Sequence, residues 1–171
     1  MYEKLIPQLA RHEGLRLQAY KDTKGIWTIG IGRNIEHRGF SQGELSTLAI
    51  TPTQLENLET LKISKESAYY LLNNDIQQIE KSLQKYGWFK FLSDVRKDII
   101  INMVFNIGER AFIGFRNFIL DIDNARWEEA SHEMLRSKWY IDVGKRAKEL
   151  SEMMRRNRYL TPVELAKIWE N

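Results

Sequence analysis

The chain has 171 residues, enough for one domain of roughly 100–200 residues but too few for two independent ones. With 43% hydrophobic residues, 29% charged and three prolines, its composition is that of a folded chain with a packed core. The absence of cysteine excludes a disulfide scaffold, a thiol nucleophile and thiolate-bound metal. The three histidines, His12, His37 and His132, are too scattered for a metal-ligand spacing, so zinc and redox chemistry are not expected. No apolar run reaches the roughly 18 residues needed to span a bilayer, and the N-terminus lacks the basic-then-apolar order of a secretion signal. Synthesis in the cytosol is the expectation.

The net charge of +3 is unevenly spread. Residues 145–158 (KRAKELSEMMRRNR) carry six Lys/Arg against two Glu, a local excess of +4. Such a stripe suits an anionic polymer or an anionic envelope, and a solvated helix face explains it at least as well. No base-reading motif accompanies it, so nucleic acid is not an expected partner.

In chain order, Tyr2, Leu5, Ile6 and Leu9 fall at helical spacing, which predicts a short amphipathic helix ending near Gly14 and carrying His12 and Glu13 at its end. From Leu15 the pattern alternates, passes through the polar KDTKG and resumes as IWTIGIG, which reads as a hairpin. Trp27, Ile29 and Ile31 would then share one face and Thr28, Gly30 and Gly32 the other, where two glycines leave the backbone open to a ligand. Three helix starts carry a hydroxyl cap with Glu or Gln three residues on: Ser41 with Glu44, Thr51 with Gln54, and Thr161 with Glu164. Pro52 and Pro162 stand at the first helical position of the last two. Residues 64–86 read as a longer helix able to join two lobes. Residues 94–107, capped by Ser93, are apolar nearly all round and predict a helix buried in a bundle. Helices near 115–122, 125–138 and 143–157 and a capped one from 162 complete an α+β, mainly helical chain.

With thiols absent and histidines dispersed, the acid–base candidates are carboxylates. Glu13 ends the first helix, Asp22 sits on the hairpin nine residues later, and Thr28 begins the return strand. A helix-terminal Glu packed against Leu15 and Leu17 would be partly desolvated and suited to donating a proton, and a hairpin Asp in a wetter site would be its charged partner. Two such carboxyls are what glycosidic cleavage requires. Spacing alone also fits an ordinary polar surface, and that alternative stays open at this point.

The run HEGLRLQAYKDTKGIWTIGIG (12–32) resembles the active-site segment of the T-even phage-type lysozymes, the family 24 glycoside hydrolase endolysins, with Glu13, Asp22 and Thr28 at the motif positions. VRKDIIINMVFNIGE (95–109) is similar to that family's central buried helix, and RWEEA with SKWYIDVGKRA (126–147) resembles its C-terminal lobe. The resemblance implies one lysozyme-like domain over 1–171. Its hairpin lobe would lie at about 13–63, its linking helix at about 64–86, and its helical lobe at 1–12 and 87–171.

The implied activity is cleavage of the β-1,4 bond between N-acetylmuramic acid and N-acetylglucosamine in peptidoglycan. Glu13 would be the general acid, Asp22 the second carboxylate, and Thr28 the group that positions water. The family is associated with inversion, which needs carboxyls about 6.5–9.5 Å apart. Asn34, Phe105, Phe118 and Glu133 fall where the family's saccharide groove lies. Phe105 keeps the expected side chain, and the other three stand where Leu, Ser and Asn are common. Lys138 and Arg146 are candidates for contact with the peptide or with acid groups of the glycan. Arg33 and Asp75 occupy the places of a His–Asp pair and predict an ion pair. Residues 35–62 match least.

The resemblance implies no cofactor, a monomer, and residence in a bacterial host's cytoplasm until release to the wall. A lytic transglycosylase, a glycan-binding module and membrane disruption by the 145–158 segment are the alternatives.

Overall fold

The computed structural model describes residues 2–171. Two compact units divide the chain, Met1–Gln78 and Ile79–Asn171.

The first unit opens with α1 (Leu5–Glu13), whose Leu5 and Leu9 are fully buried. Gly14 ends it at φ 78°, a conformation that suits glycine and turns the chain out of the helix. A three-stranded antiparallel sheet follows, β1 (Arg16–Lys21), β2 (Trp27–Gly30) and β3 (Arg33–Asn34), in that order. Register pairs Tyr20 with Thr28 and Lys21 with Trp27, and the ladder is irregular between Arg16 and Tyr20. At that irregularity the outer edge of β1 is taken by a later segment: Ala19 N donates to Leu61 O at 3.0 Å and Ile63 N to Leu17 O at 2.8 Å.

The hairpin is as the alternation predicts, but β3 is an addition. A two-residue strand is too short to leave a periodic signal, and the chain reaches it through Gly30 and Gly32, both at positive φ. Gly30 also departs from its predicted use. A Cβ there would meet Ala68 Cβ at 3.4 Å and Ile63 Cδ1 at 3.5 Å, so the missing side chain makes room for neighbouring protein rather than for a ligand.

The segment that matched least in sequence now has a structure and a purpose. It forms α2 (Gln42–Leu48), α3 (Pro52–Glu56) and a 3-10 turn at Leu58–Thr60. Both helices start with complete capping boxes, at Ser41/Glu44 and Thr51/Gln54, with Pro52 opening the second, as their sequences predict. Leu45, Leu48, Ile50, Leu58 and Leu61 join Ala19, Trp27, Ile29 and Ile35 of the sheet region, and Ala68 and Leu71, in one apolar core. The last two belong to α4 (Lys65–Leu83).

Inside this unit Arg33 is 1% exposed. Its guanidinium donates to Glu44 Oε2 from Nη1 at 2.9 Å and to Glu44 Oε1 from Nη2 at 2.8 Å, in a bidentate pair. Nε donates to Asp75 Oδ2 at 3.0 Å, and Nη1 to Gly39 O at 2.9 Å. The Arg33–Asp75 pair is the one expected from sequence; Glu44 is an unforeseen third member, and Arg38 also pairs with Asp75. The hydrogen bonds from Arg33 hold the Glu44 carboxyl down to about 2, with Ser41 N and Asn74 adding to the effect against the opposing penalty of burial.

The second unit centres on α6 (Asp94–Ile107), with Ile99 to Val104 buried as its apolar pattern predicts. Ser93 caps it by accepting from Arg96 N. Around it lie α5 (Gly87–Lys90), α7 (Glu109–Phe112), α8 (Arg116–Asp123), α9 (Trp127–Arg136), α10 (Lys138–Val143), α11 (Lys145–Arg156) and α12 (Pro162–Trp169). The predicted helix 125–138 is α9, and the short α10 after it is an addition: Ser137 is an extended cap whose Oγ accepts from Tyr140 N and starts α10. The predicted cap at Thr161 is present.

The basic segment is mostly compensated. Arg155 and Arg156 pair with Glu152, and Arg156 and Arg158 pair with Glu164. Lys145 Nζ donates to Trp169 O at 2.9 Å. The solvated-face reading describes this stripe better than that of an open cationic surface. No described helix is long and apolar enough to cross a membrane.

Two measurements test these interiors. Glu44→Gln leaves Arg33 with a buried, half-paired charge, and should cost about 3 kcal/mol in chemical denaturation at pH 7. Since the folded Glu44 titrates below its unfolded value, its contribution is present above the unfolded pKa and lost as pH falls towards 2, so the wild-type advantage should shrink in acid. The opposite sign holds at Asp98, whose carboxyl is pushed up to about 6 by burial and by Asp94 and Glu80, despite the hydrogen bond donated by Tyr159. Wild type should lose stability as pH rises through about 6, and Asp98→Asn should lack that loss in thermal melts run from pH 4.5 to 7.5.

Candidate active site

Alternation along β1 and β2 divides the sheet into two faces. Trp27, Ile29 and Ile35 belong to the core cluster, and Arg33, paired with Ile29, is the buried cation beneath them. The opposite face carries Tyr20, Thr28 and Asn34 in one cross-strand row, because Thr28 pairs with Tyr20 on one side and with Asn34 on the other. Asp22, two residues beyond Tyr20 and just past the end of β1, continues the alternation towards the Thr28 side. Thr28 is buried, and Glu13, Tyr20, Asp22 and Asn34 are half-buried.

The turn fixes Asp22. Its Oδ1 accepts from Lys24 N at 2.8 Å and from Ile26 N at 2.9 Å, while its backbone N donates to Ile26 O at 2.9 Å. This Asx-type turn is the local reason that KDTKG folds as it does, with Gly25 at φ 78°. One carboxylate oxygen is therefore spent on structure and the other is left to accept. Thr28 is fixed in a complementary way. Its Oγ1 donates to Ile26 O at 3.0 Å, which commits its proton and leaves its lone pairs as acceptors.

Glu13 reaches the neighbourhood from the last residue of α1. The Tyr20 phenol records this. Burial raises it above its ordinary value, the Arg16 guanidinium stacked 4.1 Å over its ring opposes that, and the negative charges of Glu13 and Asp22 add to the rise. Both carboxylates thus lie within Coulomb range of one phenol. Leu15 and Leu17, expected to shield Glu13, are instead exposed at 37% and 42%. Tyr20 was missed in the sequence, although its place two residues before Asp22 in an alternating run was the available signal.

The remaining candidates belong to the second unit. Phe105 and Asn106 lie near the end of α6, half-buried, and Asn106 Oδ1 accepts from Trp139 Nε1 at 2.8 Å. Phe118 is 1% exposed and packs edge-on against Phe112, with ring centroids 6.1 Å apart. It also borders a cavity of about 190 Å³ with Asn117, Glu133, Arg136 and Ser137. Glu133 lines a second cavity of about 330 Å³ between α8 and α9, with Asp121, Arg126, Glu129 and His132. Lys138 is exposed at the start of α10. Arg146 is buried, and its Nε and Nη2 donate to Asn102 Oδ1 at 3.0 and 2.8 Å. Among the described residues, no group of three or more His, Cys, Asp or Glu could hold a metal ion.

The sequence profile of the phage lysozyme family matches residues 10–158, a span that includes the α1 end, the hairpin and the helical unit as far as α11. The chain belongs to the phage lysozyme family. It is accordingly a peptidoglycan-lytic enzyme of the glycosidase type. Among its relatives, a probable T4-type lysozyme of Dictyostelium discoideum is 30% identical over 146 residues, covering 81% of this chain and 86% of the relative. A second from the same organism is 30% identical over 158 residues, covering 86% and 91%. An endolysin of Salmonella phage P22 is 33% identical over 109 residues, covering 64% of each chain.

The turn geometry separates chemistry from folding at Asp22. Asp22→Asn keeps an oxygen for the two backbone donors and should melt close to wild type. Asp22→Ala leaves both N–H groups without their partner and should lose about 1–2 kcal/mol in denaturant titrations.

Proposed function

We propose that this enzyme hydrolyses the β-1,4 bond between N-acetylmuramic acid and N-acetylglucosamine, with Glu13, Asp22 and Thr28 as the reacting set. Glu13 protonates the departing glycosidic oxygen. Asp22 and Thr28 accept hydrogen bonds from the two O–H groups of a water; as that water's lone pair attacks the anomeric carbon, Asp22 takes one proton and the other hydrogen stays on the new hydroxyl. The supporting observation is the shared polar face. Asp22 has one oxygen tied down and the other open, and Thr28 has its proton committed, so both present acceptors on the same side of the hairpin. Acceptors so placed suit a water that must give up a proton as it attacks.

A lytic transglycosylase needs the acid but no water-directing pair. The two fixed acceptors therefore favour hydrolysis over that reading. All three groups come from one unit of one chain, and the monomer is the proposed acting form. By likeness to the phage P22 relative, named an endolysin, we assign synthesis to a bacterial host's cytoplasm, followed by release to the wall and host lysis.

Purified murein should release reducing ends with wild type, and mass spectrometry should show reducing muramic acid termini. Glu13→Gln should lower the rate by roughly 10²–10⁴-fold, the typical worth of a general acid. Anhydro-muramic termini from wild type would make it a transglycosylase, and undiminished release by Glu13→Gln would remove the acid's role.

A further inference from the structure

Residues 81–93 (KSLQKYGWFKFLS) carry three Lys and no acid. They run from the end of α4 through α5 to the cap of α6, away from the reacting set. The inward side of this stretch is ordinary core, with Phe89 and Leu92 buried. Its outward side is not. Phe91 is 91% exposed, so nearly the whole ring stands in water. Trp88, three positions earlier in the same helical turn, is half-buried; it stacks on Tyr86 with ring centroids 5.2 Å apart and meets Phe112 at 6.0 Å. Aromatic packing therefore braces the turn that presents Phe91.

The polar groups around that turn answer one another. Glu109 accepts from Ser82 Oγ, from Tyr86 OH at 2.8 Å and from the Lys85 ammonium. Lys85 is still 58% exposed, with Nζ 5.1 Å from the centroid of the Tyr86 ring. Apart from the neutral Gln84, the side chains that the stretch turns fully to solvent are Lys81, Lys85, Lys90 and Phe91. A sugar platform needs a flat aromatic face with hydrogen-bonding groups beside it, and here the hydroxyls and the carboxylate are already engaged. An anionic lipid surface needs an aromatic group to enter the interface and ammonium groups to meet the headgroups, and both are present.

We propose that the 81–93 turn is a docking surface for an anionic phospholipid bilayer, with Phe91 entering the interface and Lys81, Lys85 and Lys90 lying over the lipid phosphates. The surface is separate from the cleavage machinery and does not depend on its chemistry. One ring and three cations make the contact reversible and sensitive to salt.

The full chain is sedimented at low salt with vesicles of phosphatidylcholine alone, with vesicles of phosphatidylcholine mixed with phosphatidylglycerol, and separately with murein sacculi. Wild type should bind the mixed vesicles, bind pure phosphatidylcholine far less, and lose binding as salt rises. Phe91→Ser should weaken vesicle binding by about tenfold or more, the scale of one buried ring, and Lys90→Gln by about fivefold, the scale of one cation at a charged surface. Both side chains are exposed, so both variants should melt with wild type and bind and cleave murein as wild type does. Lys148→Gln, which removes an exposed cation of the basic segment on α11, should leave vesicle binding unchanged.

No binding of wild type to mixed vesicles, equal binding to both vesicle types, or full binding by Phe91→Ser would overturn the proposal. So would a loss with Lys148→Gln but not with Lys90→Gln, which places the contact on α11. A Phe91→Ser protein that loses sacculi but keeps vesicles would overturn it too, and make the turn a glycan site. Should Phe91→Ser melt below wild type, Lys90→Gln decides, and its full binding overturns the proposal. A wild type that binds vesicles but cleaves no murein leaves this inference standing and overturns the hydrolytic reading alone.

Discussion

A guanidinium buried at 1% exposure has to be satisfied on every donor, and the first unit is arranged around that requirement at Arg33. Glu44 comes from α2, Asp75 from α4 and the Gly39 carbonyl from the turn after β3. Each partner lies on a different element, so the charge joins strand, turn and two helices at one point. A buried ion network of this kind adds little net stability relative to a well-packed apolar core, but it tolerates few alternative arrangements. Its consequence here is positional. Arg33 holds β3, β3 pairs with β2, and the register of β2 sets Thr28 between Tyr20 and Asn34.

The polar face owes its chemistry to the same economy of donors and acceptors. Hydrogen bonds that build the hairpin consume one oxygen of Asp22 and the proton of Thr28, which decides what each has left to offer. What these side chains can offer is thus set as much by what the fold has used as by their identity. Glu13 differs, since it arrives at the end of a helix and enters the neighbourhood from outside the sheet.

Much of this was legible in the chain because it is local. Capping boxes at Ser41, Thr51 and Thr161 and the cap at Ser93 are written within four residues each, and all four form. The all-round apolar pattern of 94–107 correctly placed a buried helix, and period-two alternation put Thr28 on the face away from Trp27 and Ile29. What escaped depends on distance or brevity. β3 has two residues and no period. Ser137, read as the end of one helix, is the cap that starts the next, α10. Glu44 was visible as a capping residue, but its bond to Arg33 crosses eleven positions and carries no local signature. Gly30 was read as space for a ligand, since sequence shows that a side chain is missing but not which neighbour fills the gap. The Asp22 and Thr28 positions were visible through the resemblance, whereas the hydrogen bonds that orient them required the folded turn.

The closure of β1 by residues 61–63 bears on how the protein behaves when concentrated. An exposed strand edge is a template on which another chain can pair, and folded proteins avoid long ones. Here the irregular stretch of β1 has its outward N–H at Ala19 and carbonyl at Leu17 occupied by Leu61 and Ile63, and the Gln18 side chain reaches Glu59 O. On the other side the sheet ends in a strand of two residues, Arg33 and Asn34. Between these two sides little continuous edge is left for a second molecule to extend, so the sheet can keep one polar face open to a polymer without inviting its own copies to assemble along it.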